Sequence, residues 1–495
     1  MEAIRKIEDL LLKIQLYNPQ ADFDLIKKAY EFAEIAHAGQ KRLSGDPVIT
    51  HPVAVAEILA SYRLDSVSIA AGLLHDTVED TGVSLEEIEK EFGGEIALLV
   101  NGVTKIGGIK LRGSSNEEFV ESLRKMLLAM AKDLRVVLIK LADRFHNMNT
   151  LGFLPEEKQK RISVETLEVY APLSERLGMG EMKGQLEDLS FPFVFPNEYH
   201  WLSEFVGPYF KQAEEFLQKA EKEVYKALAE EDVKAKIYSR KKHLYSLWRK
   251  LLRSDIGKDI SKVYDLVAMR VLVEEVKDCY AVLGIVHSMW KPVPTIGIRD
   301  FIAQPKPNGY RSIHTNVFSL REKILEIQIR TFRMHEEAEN GIAAHWNYAI
   351  QKSQGTSDST LEKGVFAPDD KLSWVKQLVA WQDEVVDSRE FMDSLKFDGL
   401  AHRIFVFSPN GDVFDLPAGA TPVDFAYAVH SDLGHQTNGA RINGKMVSLD
   451  CRLKSGDMVE IFKKEGSKPS EKWLRFVVTR LAKNHINKYF REKVV

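Results

Sequence analysis

At 495 residues the chain has length for about three domains of roughly 100 to 200 residues each. Hydrophobic residues make up 44% and charged residues 28%, which excludes a disordered chain, a collagen-like chain and a membrane bundle. Lys plus Arg number 68 against 72 Asp plus Glu, a net charge of −4, so the chain as a whole is no polycation built for nucleic acid. No run approaches the ~18 uncharged apolar residues of a spanning helix. The start, MEAIRKIEDLLLKIQL, interleaves acids and bases where a secretory signal has an apolar core, and a soluble cytoplasmic protein is expected. Cys279 and Cys451 lie far apart, so any metal must be held by His and carboxylates.

From residue 1 to about 195 apolar residues recur at helical spacing, at 53–60, 68–74, 119–131 and 133–148, and predict an all-helical unit. Pro192 and Pro196 predict its boundary. The second unit, 196–395, reads as a helix at 198–231, a helix at 242–252, a strand at 263–273, a helix near 278–290, a strand at 324–330 and a helix at 333–349. That mixture predicts an α/β or α+β domain. Residues 351–370, rich in Ser, Thr, Gly and acids, predict a flexible insertion, followed by a helix at 371–386. From 400 to 464, turn signals such as Pro409-Asn410-Gly411 and Asn443-Gly444 separate short strands and predict a small β-rich module. Residues 465–495 resume a basic helical pattern.

Four residues of the helical unit stand out together: His51 before Pro52, the pair His75-Asp76 in SIAAGLLHD, and Asp143 in VVLIKLADRFHNM. One histidine on an apolar helix is more often a hydrogen-bonded core residue than a ligand. Two acids in apolar helices are another matter, since each is costly unless something compensates, and a divalent cation does so directly. Nitrogen and oxygen donors suit Mn2+, Fe2+ or Zn2+. Glu79 and Asp80 lie four residues beyond His75 and Asp76 on the same helical face. They are either groups that orient and deprotonate a water or a solvated helix end. Arg42, Ser44, Arg144 and Asn147 supply donors of the kind that hold phosphate oxygens. A metal with arginines describes a phosphohydrolase.

The strings GQKRLSGDPVITHP, AAGLLHDTVEDT and KLADRFHNM resemble the HD phosphohydrolase superfamily and, within it, the hydrolase half of the RelA/SpoT family, which removes the 3′-diphosphate from (p)ppGpp. The resemblance implies that His51, His75, Asp76 and Asp143 ligate one Mn2+. It gives Glu79 and Asp80 to the attacking water and Arg42, Ser44 and Asn147 to the nucleotide. Leu43 stands where family members often carry a lysine.

In 263–273 a period of two makes Asp265 the only acid on the face of Val267, Met269, Val271 and Val273. In 324–330 Glu326, Gln328 and Arg330 share one face, which lines a cleft or belongs to an edge strand facing water. The helix at 242–252 carries an apolar stripe and leaves Arg240, Lys241, Lys242, Arg249, Lys250 and Arg253 on other faces. QPKPNGYRSIH adds Lys306, Arg311 and His314 as donors and Tyr310 as a stacking platform. Two carboxylates for Mg2+, cations for phosphates and an aromatic for a base suggest nucleotidyl or diphosphoryl transfer.

The strings YSRKKHLYSLWRK, VYDLVAMRVLV, IAQPKPNGYRSIHTNV, LEIQIRT and HEEAENGIAAHW resemble the synthetase half of the same family, nucleotidyltransferase-like in fold, which moves the β,γ-diphosphate of ATP to the 3′-hydroxyl of GDP or GTP. The resemblance implies that Asp265 holds Mg2+ and that Glu326 holds metal or activates the 3′-hydroxyl. Tyr310 would stack on guanine, Arg240, Lys242, Lys306 and His314 would bind phosphates, and Asn308, Gln328 and Arg330 would complete the substrate contacts. Ser239 replaces a frequent glycine, and TIGIRD at 295–300 replaces the usual Gly-Arg-x-Lys-Asp segment, so weakened synthesis or an altered GDP/GTP preference is expected.

The stretch from Ile404 to Phe462 resembles the TGS module, a small β-grasp domain. That implies contact with the ribosome and deacylated tRNA, with His430 or His435 at the acceptor end, although a purely structural appendage fits the residues as well. The sequence shows no likeness to the family's zinc-finger-like and ACT regulatory domains. The expected protein is bifunctional, making and hydrolysing (p)ppGpp. The alternatives are a hydrolase with a degenerate synthetase and a non-catalytic ribosome- or tRNA-binding regulator.

Overall fold

The computed structural model describes residues 2–104, 123–344 and 403–491, less 124, 131, 254–255, 264, 295–296, 307–308, 321–322, 411, 455 and 465. The insertion expected at 351–370, the helix at 371–386, Asn308 and part of the helix at 119–131 lie outside the described residues. The chain divides into two compact units, residues 1–379 and 380–495.

The first unit begins with helices α1 (Glu2–Tyr17), α2 (Phe23–Ala36), α3 (Thr50–Ser61), α4 (Ser66–Leu74), α5 (Thr77–Asp80), α6 (Leu85–Phe92), α7 (Gly94–Val103) and α8 (Arg135–Asn149). Their starts are written locally. The side chains of Asp22 and Asp65 accept from the backbone N–H groups of Leu25 and Ser68, and Ser84 with Glu87 forms a capping box. Helix α4 is buried from Ser68 to Leu74. Gly72 lets it approach α3, because a Cβ there would stand 2.5 Å from Leu59 Cδ1.

Helix α9 (Glu156–Glu165) runs through a π turn (Thr166–Tyr170) into α10 (Ala171–Arg176), followed by α11 (Gly180–Val194) and α12 (Pro196–Glu230). Pro192 lies inside α11 rather than ending it, and Pro196 opens α12, where its missing N–H has no intrahelical partner to lose. The FPFVFP segment is therefore a packed corner. Phe191 and Phe195 lie 5.3 and 4.6 Å from the Trp248 ring of the following domain.

That domain continues with β1 (Ala235–Lys241), α13 (Leu244–Leu251), β2 (Val267–Val273), α14 (Val276–Met289), β3 (Arg299–Asp300), β4 (Ile313–Phe318), β5 (Ile324–Thr331) and α15 (Phe332–Asn340). The sheet order is β1-β2-β5-β4-β3, with β2 and β5 parallel and the other pairs antiparallel. One face buries Met269, Val271, Ile313, Ile327 and Ile329 against Leu217, Val224 and Leu228 of α12 and Val282 and Val286 of α14.

Three expectations are corrected here. Strand β2 starts at Val267, so Asp265 sits in the turn before it instead of within the alternation. Arg240 and Lys241 belong to strand β1, and Lys242 to the turn after it, rather than to a basic helix. Strand β5 is central, and Glu326, Gln328 and Arg330 on its polar face are 5%, 5% and 0% exposed, so it is no edge strand facing water.

The second unit holds the hairpin β6 (Arg403–Phe407) and β7 (Val413–Pro417), helices α16 (Pro422–Val429) and α17 (Ser431–His435), strands β8 (Thr437–Ile442), β9 (Lys445–Val447) and β10 (Val459–Lys463), and helix α18 (Arg480–Arg491). Asn443 and Gly444 take φ of 50° and 81° in the turn between β8 and β9, as a primed hairpin turn requires. Val406, Leu416, Phe425 and Val459 meet in its core. Among the described residues no helix is long and apolar enough to cross a membrane.

Candidate active sites

The first site forms where α3, the end of α4 and α8 meet. His51 Nε2 lies 3.2 Å from Asp76 Oδ2 and 3.3 Å from Asp143 Oδ1, and His75 Nε2 lies 3.1 Å from Asp76 Oδ1. Ligand atoms of His51, His75 and Asp76 all fall within 4.8 Å of one another. The His75 Nδ1–H donates to the Gly72 carbonyl at 2.7 Å, which turns Nε2 toward the carboxylates. That Nε2 is buried and, despite the short distance to Asp76, makes no well-directed hydrogen bond. An orphaned buried nitrogen beside two carboxylates fits a divalent cation.

The charges agree. Burial opposes charging of His75, but Asp76 and Asp143 outweigh it and raise its pKa to about 10. Burial alone would raise both acids too; His75 and His51 hold Asp76, and Lys140 with the two histidines holds Asp143, well below the usual carboxylate range. The cluster draws in positive charge.

Around it, Lys140 Nζ donates to Asp143 Oδ2 at 2.7 Å and Asn147 Nδ2 to Asp143 Oδ1 at 2.5 Å. Arg42 reaches Asn147 Oδ1 at 3.4 Å and Thr150 Oγ1 at 3.2 Å. His146 Nδ1 sits 2.8 Å from His51 Nδ1, and burial, His51 and Arg42 depress its pKa to about 4. Glu79, half-buried, and Asp80, exposed, lie on the single turn of α5 that follows the His75-Asp76 pair. Ser44 hydrogen-bonds Asp46 in the exposed loop beside Arg42. Arg144 goes elsewhere. Its guanidinium lies 4.2 Å over the Tyr170 ring and 3.3 Å from Glu165 Oε2, so it braces α8 against α9 and the π turn.

The second site lies on the polar face of the sheet. Cross-strand register puts Arg240, Ala268, Glu326 and Asn316 in one row and Tyr238, Arg270, Gln328, His314 and Arg299 in the next. Glu326 Oε1 accepts from Arg299 Nη2 at 3.0 Å and pairs with His314 Nδ1 at 3.1 Å, while His314 Nε2 meets the Tyr310 hydroxyl at 2.8 Å. Burial pushes His314 down despite Glu326. Lys306 rests over the rings of Phe301 and Tyr310 at 4.7 and 5.0 Å, and burial followed by Arg299 lowers its pKa.

Asp265 is clamped by Lys242 Nζ at 2.6 Å and Lys250 Nζ at 2.7 Å, which lower its pKa against the pull of burial. Arg330 is fully buried with Nη2 on Glu339 and His335, while its Nε and Nη1 make no hydrogen bond. A cavity of about 750 Å³ opens beside β1, lined among others by Glu181, Asp188, Tyr238, Arg240, Lys242 and Arg270. Arginines and lysines around two acids, with aromatic faces nearby, are equipped to bind polyphosphate.

Residues 29–180 match the family model for the HD domain, 239–353 that for the region found in RelA / SpoT proteins, and 404–463 that for the TGS domain. The guanosine-3′,5′-bis(diphosphate) 3′-pyrophosphohydrolase of Aquifex aeolicus is 43% identical over 98% of this chain and 67% of its own length. The chain belongs to the RelA/SpoT family. The bifunctional (p)ppGpp synthase/hydrolase RelA of Mycobacterium tuberculosis is 46% identical over 96% of this chain and 63% of its own, and the GTP pyrophosphokinase of Streptomyces coelicolor 48% over 94% and 56%. The chain thus spans between 56% and 67% of the length of these three relatives.

Within this RelA/SpoT chain, sequence reasoning passed over Lys140, His146 and Arg270. Lys140 and His146 lie three residues either side of Asp143, a spacing that shares a helical face and would have found both. Arg270 sits in a fully buried strand, and the cost of burying an unpaired guanidinium was its available signal.

Proposed function

We propose that the chain metabolises guanosine 3′,5′-polyphosphates through two centres: a Mn2+-dependent hydrolase in the helical part, residues 1–195, and a Mg2+-dependent diphosphotransferase in residues 196–395. The observation that carries the first is the grouping of His51, His75 and Asp76, whose ligand atoms lie within 4.8 Å of one another, with Asp143 Oδ1 3.3 and 3.8 Å from the two imidazole Nε2 atoms. A cation held there by these four residues would supply positive charge that acidifies water and offsets the negative charge of the diphosphate under attack. Glu79 and Asp80 take the proton of the attacking water, and Arg42 with Asn147 and Ser44 holds the nucleotide. Water adds to the phosphorus on the ribose 3′-oxygen, that P–O bond breaks, the 3′-oxygen receives the proton taken from the water, and GDP or GTP departs from the free diphosphate.

In the second centre Asp265 and Glu326 hold Mg2+, and Glu326 or its partner His314 receives the proton of the GDP or GTP 3′-hydroxyl as the β,γ-diphosphate of ATP passes to it. Arg240, Lys242, Lys306, Gln328 and Arg330 hold phosphates, and Tyr310 stacks on guanine; positioning and charge neutralisation do most of the work. Asn308 and Arg144 remain with the proposal as nucleotide contacts, Arg144 only after leaving Glu165. The TGS module, residues 400–464, binds tRNA on the ribosome in the cytoplasm.

A hydrolase-only reading is favoured by one observation: Asp265 and Glu326 are both already ion-paired, to Lys242 and Lys250 and to Arg299. Incubating pure protein with ppGpp, with and without Mn2+, and separately with labelled ATP, GDP and Mg2+, tests both. Metal-dependent diphosphate release supports the hydrolase. Absence of labelled ppGpp in the second reaction removes the transferase and leaves the hydrolase-only reading.

A further inference from the structure

The two histidines of the cluster are backed by different partners. His75 Nδ1 faces the Gly72 carbonyl, which can only accept, so Nδ1 carries a proton and Nε2 is the nitrogen left to meet a carboxylate or a cation. His51 Nδ1 faces another imidazole nitrogen, His146 Nδ1, at 2.8 Å, with the ring centroids 4.8 Å apart and tilted by 43°. At that distance the two nitrogens share one proton, with one donating and the other accepting.

We propose that His146 is the positioning residue for His51, exchanging donor for acceptor at Nδ1 so that His51 Nε2 can serve either the carboxylates or a divalent cation. This rests on reading the cluster as a metal site. When His51 Nε2–H points at Asp76 Oδ2 and Asp143 Oδ1, 3.2 and 3.3 Å away, its Nδ1 is a lone pair and His146 Nδ1–H donates. When a cation takes the Nε2 lone pair, His51 must carry its proton on Nδ1, and His146 must accept. The exchange moves one proton from His146 Nδ1 to His51 Nδ1. His51 Nε2 gives a proton to solvent and His146 Nε2 takes one, so the pair holds two protons before and after. A carbonyl in place of His146 would fix His51 in one tautomer, and an apolar side chain would leave Nδ1 unpaired and the ring free to turn.

The test is Mn2+ titration of the full chain followed by EPR, with the nitrogen couplings of the bound ion read by pulsed EPR. His146→Leu is expected to weaken Mn2+ binding about 10- to 100-fold and to lose or weaken one imidazole coupling, whereas His146→Asn, whose amide presents either O or NH2 toward His51, stays within about threefold of wild type. If the leucine variant is unstable on thermal melting, the asparagine variant decides alone: affinity near wild type with both imidazole couplings supports the assignment, and a tenfold loss overturns it. Leucine binding as tightly as wild type also overturns it. Wild type that binds no Mn2+ overturns the metal reading itself, an outcome distinct from any difference among the variants.

Discussion

Gly184 on α11 faces His243 so closely that a Cβ there would stand 2.3 Å from the imidazole ring. His243 follows directly on Lys242, and its Nδ1 lies 2.8 Å from Asp188 Oδ2 on the same helix as Gly184. The helical part thus seats the end of β1, which carries Arg240. Gly184→Ala is expected to push the ring aside at a cost of about 1–3 kcal/mol, and to reduce diphosphate transfer more than ppGpp hydrolysis. Steady-state assays of both reactions on one preparation check this, and equal losses in the two would count against it.

The same histidine makes the joint sensitive to pH. Burial alone would depress its pKa, but Asp188 and Glu181 override that and raise it to about 9. A pKa raised in the folded state contributes stability that is fully present below the unfolded value of about 6.5 and is lost as pH rises through the folded value. Melting temperature should therefore fall between about pH 7 and pH 9.5 more steeply in wild type than in His243→Gln. Parallel curves for the two proteins would remove His243 as the cause.

Glu326 tests whether the two centres are independent. It is 5% exposed and shared between Arg299 and His314 on the sheet, whereas the His51, His75, Asp76 and Asp143 cluster lies on helices α3 and α8 and the turn between α4 and α5. Glu326→Gln keeps the shape and removes the charge. Transfer from ATP to GDP is expected to fall by about 10²- to 10⁴-fold, with ppGpp hydrolysis and Mn2+ affinity unchanged. A matching fall in hydrolysis would show that the second centre is needed by the first.

The helical site was legible because an acid inside an apolar helix is conspicuous: Asp76 follows a buried run from Ser68 to His75, and Asp143 follows Val136 to Ile139, Leu141 and Ala142, all buried. Adjacency in sequence is about 100° of rotation on a helix, so while Asp143 faces His51, Arg144 pairs with Glu165, a partner no local pattern announces. On the sheet, the strand was extended four residues too far, to Val263, and so took in Asp265, because period two says nothing about where a strand begins. Strand β1 was hidden by its charges: Arg240 and Lys241 read as a helix flank, and only pairing with the buried β2 makes them part of an edge strand. Burial of Glu326 and Arg330 follows from the order β1-β2-β5-β4-β3, a long-range fact.

In the second unit, Asp424 is the one carboxylate among the described residues there that is fully buried. Its oxygens accept from the backbone N–H of Thr421, Val478 and Thr479 and from the hydroxyls of Thr421 and Thr479. One side chain thereby caps α16 and ties down the segment leading into α18. Asp424→Ala leaves those buried donors without an acceptor, each lost partner costing on the order of 1–3 kcal/mol, so the segment from Val478 to Ile486 should exchange its amide hydrogens faster. Exchange read by mass spectrometry on the intact chain checks this. The ppGpp cleavage proposed for helices of the other unit should keep its wild-type rate; unchanged protection at 478–486 would mean that the apolar contacts of Val423, Tyr427, Val477 and Ile486 hold the segment without the carboxylate.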